Sequence, residues 1–216
     1  MGLELYVSNI FKSYDEEPVL KGCSFTLDKK QTYVLTGRNG SGKSTLLRIC
    51  ALLEEADEGE LIFSDNGSPV AKDLALKRRM TLLLPGIGIF NTTVYKNVAY
   101  GLKIRRLEER EIAGKVGRAL DFVGLAHKRS QKALTLSSGE MQRLGIARAM
   151  VIRPEIIFLD EPTASIDQKN TEIIEEIILN MKREQRSIAV ITTHDASQAK
   201  RLADRLLVIQ DGRIVE

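Results

Sequence analysis

Gly37-Arg38-Asn39-Gly40-Ser41-Gly42-Lys43-Ser44 is the stretch of this sequence that decides the fold. It has the spacing G-x-x-x-x-G-K-S, and it lies between residues 32–36, which predict a strand, and residues 43–53, which predict a helix. Glycines let such a loop wrap with its N–H groups pointing at a phosphate, and the N-terminus of the next helix favours an anion. The stretch therefore predicts a phosphate-binding loop, against the alternative of a plain glycine-rich turn.

The last two residues of this loop would carry much of its chemistry. Lys43 would reach the β- and γ-phosphates of ATP, and the Ser44 hydroxyl would ligate Mg²⁺. Residues 156–159 predict a second apolar strand, which ends in Asp160, a carboxylate placed to support the same metal. Glu161 follows directly. It is either a general base that polarises the attacking water or a solvated acid at a strand end, and the residues alone leave both interpretations open.

The rest of the chain predicts an α/β arrangement. Residues 3–10 and 19–27 predict strands, and apolar residues at helical spacing in residues 103–125 predict a separate helical lobe. After residue 139 helices and strands alternate, which predicts a parallel sheet. These predicted elements are a helix to about residue 152, a strand at 156–159, a helix at 171–186, a strand at 187–192, a helix at 197–203 and a strand at 205–209.

Bulk composition restricts the class of protein. The chain has 216 residues, 43% of them hydrophobic, which is enough for one domain with a sizeable core. No apolar run approaches the roughly 20 residues that cross a bilayer, and Glu4 does not suit a signal peptide, so we expect a cytoplasmic protein. Cys23 and Cys50 lack metal-ligand spacing, so we expect buried thiols rather than a disulfide or a zinc site.

The net charge of +3 is unevenly distributed. Residues 72–132, called here the basic segment, hold 14 Lys and Arg residues against 5 Asp and Glu residues. This segment is either a solvated helical face or a surface that meets acidic partners or anionic lipid headgroups. We expect no nucleic-acid partner, because the segment has no recognition motif and few interleaved aromatic residues.

Several motifs downstream of the loop resemble those of one family. Leu136-Ser137-Ser138-Gly139-Glu140, followed by Met141-Gln142-Arg143, is similar to the LSGGQ-x-Q-R signature of ATP-binding cassette (ABC) proteins. Ala164-Ser165-Ile166-Asp167 resembles the D-loop of that family, and His194 resembles its switch histidine. Tyr14 lies where the family has an aromatic residue that stacks on adenine. Taken alone, Tyr14 also suits an ordinary turn and His194 a structural role, but the resemblance runs in order from about residue 3 to residue 215.

The resemblance implies an α/β fold with a P-loop NTPase core built on a parallel sheet, an antiparallel β lobe and a helical lobe at about residues 86–150, all within one ABC ATPase domain, 1–216. It also implies a head-to-tail dimer, in which a second copy covers the ATP with its signature motif. Catalysis is assigned to Glu161, His194 and Lys43, and metal binding to Ser44 and Asp160. The implied nucleotide contacts are Tyr14, Gly37, Arg38, Asn39, Gly40, Ser41, Gly42, Lys43, Ser44, Thr45, Ser137, Ser138, Gly139, Glu140 and Asp167.

The implied partners are other chains. A cassette without membrane helices that ends soon after Asp211-Gly212-Arg213 resembles the separate ATPase subunit of a prokaryotic importer. This implies integral membrane subunits, a solute-binding protein and a peripheral position on the inner face of the cell membrane. Residues 91–102 resemble importers of oxyanions such as tungstate or molybdate. The alternative is an ATP-gated regulatory or scaffolding module, as in cell-division cassettes.

Two features depart from the family pattern. The family normally has a metal-contacting glutamine after the strand at residues 80–84, but that position is Pro85, and no Gln occurs between Gln31 and Gln131. Proline offers no side-chain ligand and no N–H, so we expect water in its place and transmission of motion by the backbone of residues 85–88. The signature has Ser138 for glycine and Glu140 for glutamine. We still expect ATP hydrolysis, and we expect Glu140 to point away from the nucleotide.

Overall fold

The computed structural model describes residues 2–86 and 88–215. The strands are β1 (Leu3–Tyr14), β2 (Glu17–Leu27), β3 (Thr32–Thr36), β4 (Glu58–Asp65), β5 (Ser68–Pro69), β6 (Met80–Leu83), β7 (Ile156–Leu159), β8 (Ile188–Thr193), β9 (Arg205–Gln210) and β10 (Arg213–Val215). The helices are α1 (Lys43–Cys50), α2 (Leu74–Lys77), α3 (Val94–Ile104), α4 (Glu109–Phe122), α5 (Ser138–Val151), α6 (Gln168–Glu184) and α7 (Ala196–Leu202).

The central sheet has the strand order β10-β9-β3-β8-β7-β6. Strands β9, β3, β8, β7 and β6 are parallel, and β10 adds an antiparallel edge. Every residue of β7 and β8 is buried, as expected for strands covered on both faces. The predicted α/β fold class is confirmed. Since parallel strands end at one edge of the sheet, the segments after β3, β7 and β8 meet there.

A second sheet, of order β2-β1-β4-β5, is antiparallel and packs its inner face on α1 and on one side of the central sheet. Cys23 and Cys50 are buried in this core, as expected, and burial raises the pKa of both thiols. Arg79 joins the two sheets: its guanidinium contacts Glu155 at 2.6 Å and Asp65 at 2.7 Å. The two layers therefore share a hydrophobic core and an ionic contact.

Helices α3, α4 and α5 form the predicted helical lobe, with a core that includes Val98, Leu102 and Val116. The lobe differs from the single amphipathic stretch predicted at residues 103–125. Helix α3 already begins at Val94 and ends where Arg106 adopts a φ of 58°, so the stretch spans two helices. No helix in the described ranges is long and apolar enough to span a membrane.

Three strands were not predicted, namely β4, β5 and β10. Strand β4 begins with Glu58-Gly59-Glu60, a polar run whose glycine has φ 94°, and a Cβ at Gly59 would lie 2.2 Å from the carbonyl oxygen of Asn9. The glycine therefore allows a close approach between strands at an irregularity of the sheet, and this hides the alternating pattern.

The basic segment is partly neutralised by contacts inside the chain. Arg79 pairs with Asp65 and Glu155, and Lys128 pairs with Glu140 at 2.6 Å. All three of these carboxylates lie outside the segment. The folded segment therefore presents fewer uncompensated positive side chains than its sequence suggests.

Candidate functional site

The loop predicted to bind phosphate connects β3 to α1 and is packed closely on both sides. A Cβ at Gly37 would lie 2.4 Å from the carbonyl oxygen of Ile209, and a Cβ at Gly42 would lie 2.6 Å from the side chain of Leu20. Gly42 also has φ 99°, in the left-handed region that favours glycine. Larger residues would displace the loop, so these two glycines hold its backbone at the edge of the sheet.

Lys43 is the first residue of α1 and is only 5% exposed. Its ammonium group donates to the carbonyl oxygens of Gly37 and Arg38, each at 3.0 Å, and lies 3.6 Å from a carboxylate oxygen of Glu161. The Ser41 hydroxyl of the same loop is buried without a hydrogen-bond partner in the described chain. The Lys43 ammonium group and the Ser41 hydroxyl can thus donate hydrogen bonds to an anion.

Asp160 follows β7 and is 1% exposed. Its Oδ1 accepts a hydrogen bond of 2.6 Å from the Thr192 hydroxyl, whereas its Oδ2 is buried and has no partner within the described residues. The same Thr192 oxygen accepts the N–H of Glu161 at 2.8 Å. A buried carboxylate oxygen without a donor is costly unless a cation approaches it. These residues therefore fit a metal ion such as Mg²⁺.

Thr192 was missed by the sequence reasoning. The signal was available, because Thr192 lies two residues before His194 and β8 runs parallel to β7, with Ile191 beside Leu159. The residues that follow this pair, Thr192 after Ile191 and Asp160 after Leu159, must therefore also lie side by side. Thr192 thereby orients both acids that end β7.

Glu161 lies between two basic side chains. One carboxylate oxygen is 3.6 Å from Lys43 Nζ, and the other is 3.6 Å from His194 Nδ1. The Glu161 backbone has φ 44°, an unusual value for a residue with a side chain. The fold therefore brings Lys43, Asp160, Glu161 and His194 together from three segments of the chain.

The signature motif forms the N-terminus of α5. Ser137 caps the helix: its hydroxyl accepts the N–H of Glu140 at 3.3 Å, and the Glu140 carboxylate accepts the N–H of Ser137 at 3.0 Å. The other Glu140 oxygen lies 2.6 Å from Lys128 Nζ, and this hydrogen bond lowers the pKa of Glu140. Both oxygens of the Glu140 carboxylate therefore accept hydrogen bonds from its own chain, and Lys128 balances its charge.

The signature packs on the first turn of α6. A Cβ at Gly139 would lie 2.2 Å from the side chain of Asn170, whose amide donates to Asp167 at 2.7 Å. Asp167, in the segment that resembles the D-loop, is the N-cap of α6. Within the described ranges, no hydrogen bond or ion pair connects residues 136–140 with residues 37–45. The structure thus links the signature to the D-loop and not to the phosphate loop of the same chain.

Tyr14 ends β1 and its side chain is 40% exposed. Its hydroxyl donates to Glu54 and accepts from Arg48 at 3.3 Å. Arg48 also donates to Thr45 at 3.2 Å, in the helix that follows the phosphate loop. These contacts hold the Tyr14 ring beside α1, and the Lys12 ammonium group lies over the ring, 5.7 Å from its centroid.

Pro85 comes two residues after β6, at the mouth of a cavity of about 380 Å³ between β6, α3 and α5. Tyr100 and Arg148 line this cavity, and both contact Phe90: the Tyr100 and Phe90 ring centroids are 4.5 Å apart, and the Arg148 guanidinium is 4.6 Å from the Phe90 centroid. Ile87, in the loop predicted to transmit motion, lies outside the described residues. Pro85, where the chain departs from the family pattern, therefore borders a groove lined by both apolar and polar residues.

Comparison with known proteins decides the family. The sequence profile of the ABC transporter family matches residues 20–164. The chain is an ABC transporter ATPase. It is 38% identical to the phosphate import ATP-binding protein PstB 2 of Natronomonas pharaonis, over 98% of this chain and 78% of that protein. It is 36% identical to the tungstate uptake ATP-binding protein TupC of Peptoclostridium acidaminophilum, over 99% of this chain and 98% of that protein.

The fold of this ABC ATPase is also that of a solved relative. CbiO1 from Clostridium perfringens, part of the ABC transporter complex CbiONQ, superposes with a TM-score of 0.88 and 26% sequence identity. The match covers all of this chain and 88% of CbiO1. The family resemblance inferred from the signature, the phosphate loop and the strand-end acids is thus confirmed.

Proposed function

We propose that this ABC ATPase hydrolyses Mg·ATP at the interface of a head-to-tail dimer and thereby powers solute import through separate membrane subunits. One observation carries the proposal. Lys43, Asp160, Glu161 and His194 converge at the carboxyl edge of the sheet, whereas the signature makes no hydrogen bond or ion pair with that phosphate loop among the described residues. One chain therefore holds two halves of a site that two copies can complete.

The chain's own residues account for binding and activation. The N–H groups of residues 37–42, the Ser41 hydroxyl and Lys43 would bind the phosphates. Ser44 and Asp160 would hold Mg²⁺, which neutralises charge on the phosphate oxygens. When a phosphate attracts Lys43, the 3.6 Å contact to Glu161 weakens. Glu161 is then free to orient or deprotonate water, and His194 is placed to contact the γ-phosphate.

A second copy would supply the remaining donors. The N–H groups of Ser138 and Gly139 lie in the first turn of α5, where no intrahelical acceptor is available. Together with the Ser137 hydroxyl they can donate to a γ-phosphate bound by the other copy. Asn170 packs against Gly139 of the signature and hydrogen-bonds to Asp167. A movement of one copy against the other would therefore be transmitted through Asp167 to Asp160 and Glu161.

The groove beside Pro85 would receive a cytoplasmic loop of a membrane subunit. Its surroundings expose apolar side chains to solvent: Leu84 is 38% exposed, Tyr100 49% and Ile104 57%. An exposed apolar patch of this kind is typical of an interaction surface. The names of PstB 2 and TupC favour import of an oxyanion, which would be delivered by a solute-binding protein to a transporter with this ATPase on its cytoplasmic face.

The test is ATP hydrolysis as a function of protein concentration, with Glu161→Gln and the exposed control Glu60→Gln. We expect a rate that rises more than linearly with protein, is lost in Glu161→Gln and is kept in Glu60→Gln. Glu161→Gln should also elute as an ATP-dependent dimer in size-exclusion chromatography. Hydrolysis strictly proportional to protein, or unchanged in Glu161→Gln, would refute the dimeric mechanism.

Pro85 favours one alternative, an ATP-gated regulatory module with little transport. Hydrolysis should be stimulated by co-purified membrane subunits in proteoliposomes and coupled to oxyanion uptake. ATP binding without stimulated hydrolysis or uptake would favour the module, and recovery of hydrolysis in Pro85→Gln would then locate the cause at the missing glutamine.

A further inference from the structure

A cavity of about 610 Å³ lies at the edge of the central sheet opposite to the ATP site. It is lined by the beginnings of β3, β7 and β8 and by residues of α4, α5 and α6, whereas Lys43, Asp160 and His194 follow the other ends of the same strands. The five residues of β3 alone separate the two edges by about 13 Å. The proposed function makes no use of this cavity.

The floor of the cavity is apolar. It is formed by Ala119 and Phe122 of α4, Met150 of α5, Ile157 of β7 and Met181 of α6. A volume of about 610 Å³ lies within the range of roughly 300–1,000 Å³ that is typical of small-molecule sites. The cavity can therefore bury an apolar body the size of two or three fused rings or a medium-length acyl chain.

The rim of the cavity is rich in positive charge. Its two acids are already paired, Glu155 with Arg79 at 2.6 Å and Glu184 with Arg186 at 3.5 Å. Its six basic side chains are Lys30, Lys115, Arg118, Arg153, Lys182 and Arg186. A rim with three times as many cations as carboxylates favours an anion at the mouth.

Three of these cations have no ion-pair partner in the described part of the chain: Lys30, Arg118 and Arg153. The others are engaged, since Lys115 pairs with Glu111 at 3.2 Å and Lys182 pairs with Asp204 at 2.8 Å. The three uncompensated cations come from the β2–β3 turn, from α4 and from the end of α5. They therefore come from three separate segments of the chain and not from one helix face.

Arg153 is also in an unfavourable backbone conformation. It follows the C-cap of α5, Ile152, with φ 50°, and its N–H donates to the Met150 carbonyl at 2.9 Å. Helices commonly end with glycine at this position, because other residues are strained there. This turn directs the chain away from α5 and leaves the exposed Arg153 among the residues that line the cavity.

We propose that this cavity is a second ligand site, which takes a small organic anion with an apolar body and one carboxylate, phosphate or sulfonate group. The apolar body lies on Phe122, Met150 and Met181. The anionic group lies at the rim and accepts hydrogen bonds from Arg118 and Arg153. Nothing in this binding requires the nucleotide, so ATP and the anion bind at the same time.

The test uses a fluorescent pair that differs only in the sulfonate group, 8-anilinonaphthalene-1-sulfonate and the uncharged N-phenyl-1-naphthylamine. Titration of the full chain should give one bound sulfonate per chain, tighter binding than for the uncharged dye, and no displacement by saturating ATP. Arg118→Gln and Arg153→Gln should each weaken sulfonate binding about tenfold and leave the uncharged dye unaffected. Arg110→Gln, also on α4 and exposed but outside the cavity, is the matched control.

Circular dichroism of each variant establishes that these exposed substitutions leave the fold intact. Displacement of the sulfonate by ATP, or equal binding by Arg118→Gln, Arg153→Gln and Arg110→Gln, would overturn the proposal. Competition with octanoate and with 1-naphthyl phosphate then distinguishes an aliphatic carboxylate from an aromatic phosphate as the source of the anion. If neither displaces the sulfonate, the dye is bound as an adventitious additive only, and the proposal fails.

Discussion

Thr192→Val should destabilise this ATPase more than its small change of shape suggests. The Thr192 hydroxyl donates to Asp160 Oδ1 at 2.6 Å and accepts the Glu161 N–H at 2.8 Å, and Thr192 is fully buried. Valine keeps the volume of threonine but removes both hydrogen bonds. Asp160 Oδ2 has no partner either, so the variant leaves both oxygens of a buried carboxylate without donors in the described chain.

The expected cost follows from these two contacts. Leaving a buried donor or acceptor unpaired costs roughly 1–3 kcal/mol, more for a charged group, so Thr192→Val should lower the free energy of unfolding by about 3 kcal/mol. Thr192→Ser keeps the hydroxyl and loses one buried methyl group, at a cost of about 1 kcal/mol. The difference of about 2 kcal/mol between the two variants measures the hydrogen bonds.

Urea unfolding followed by circular dichroism measures this difference. With a slope of about 3 kcal/mol per molar urea, the midpoint of Thr192→Val should fall by roughly 1 M. Because Thr192 orients Asp160, the Mg²⁺ concentration for half-maximal ATP hydrolysis should also rise by about tenfold or more in Thr192→Val. If Thr192→Val is as stable as Thr192→Ser, the hydroxyl does not hold the two acids, and the reasoning is refuted.

Three further predictions concern contacts elsewhere. Gly139→Ala places a Cβ 2.2 Å from a side-chain atom of α6 and should cost about 2 kcal/mol in urea unfolding, whereas Gly117→Ala, with nothing within 4 Å, should be neutral or stabilising. Lys128 lowers the pKa of Glu140 from its ordinary 4.5, so this stabilisation is present above 4.5 and is lost as the pH falls through the lower folded value. The stability difference between wild type and Lys128→Gln should therefore shrink between pH 7 and pH 3. Arg79→Lys keeps the charge but loses the forked contacts, and should lower the free energy of unfolding by about 1–2 kcal/mol.

Each of these has an outcome that contradicts it. Equal stability of Gly139→Ala and Gly117→Ala would show that α5 shifts on α6 without cost. A stability difference for Lys128→Gln that is constant with pH would remove the ion pair to Glu140 as its cause. For Arg79→Lys, the control is Arg110→Lys on the exposed face of α4, and equal midpoints for the two variants would show that the contacts between the sheets add nothing.

Much of the fold was predictable because its signals are contiguous. Strand β3, the glycine loop and the start of α1 follow one another directly, and β7 runs without interruption into Asp160 and Glu161. Helix ends were less accurate. Helix α6 was predicted to begin at residue 171, but Asp167 caps it by accepting the N–H of Asn170, so it begins at Gln168. Such a cap is a local signal, because Asp167 and Asn170 are only three residues apart.

The sequence by itself determined the α/β class, the order of the motifs and which residue types converge, because each depends on short spacings and on the rule that parallel strands end at one edge. Only the tertiary structure decided which groups pair across long separations. Thr192 hydrogen-bonds to Glu161 and Asp160, which lie 31 and 32 residues earlier in the sequence. Lys128 neutralises Glu140 inside the signature. The cavity, with three rim cations that have no ion-pair partner among residues 2–86 and 88–215, exists because three helices and three strands leave a space between them. Such contacts depend on packing in three dimensions, which no local pattern of residues records.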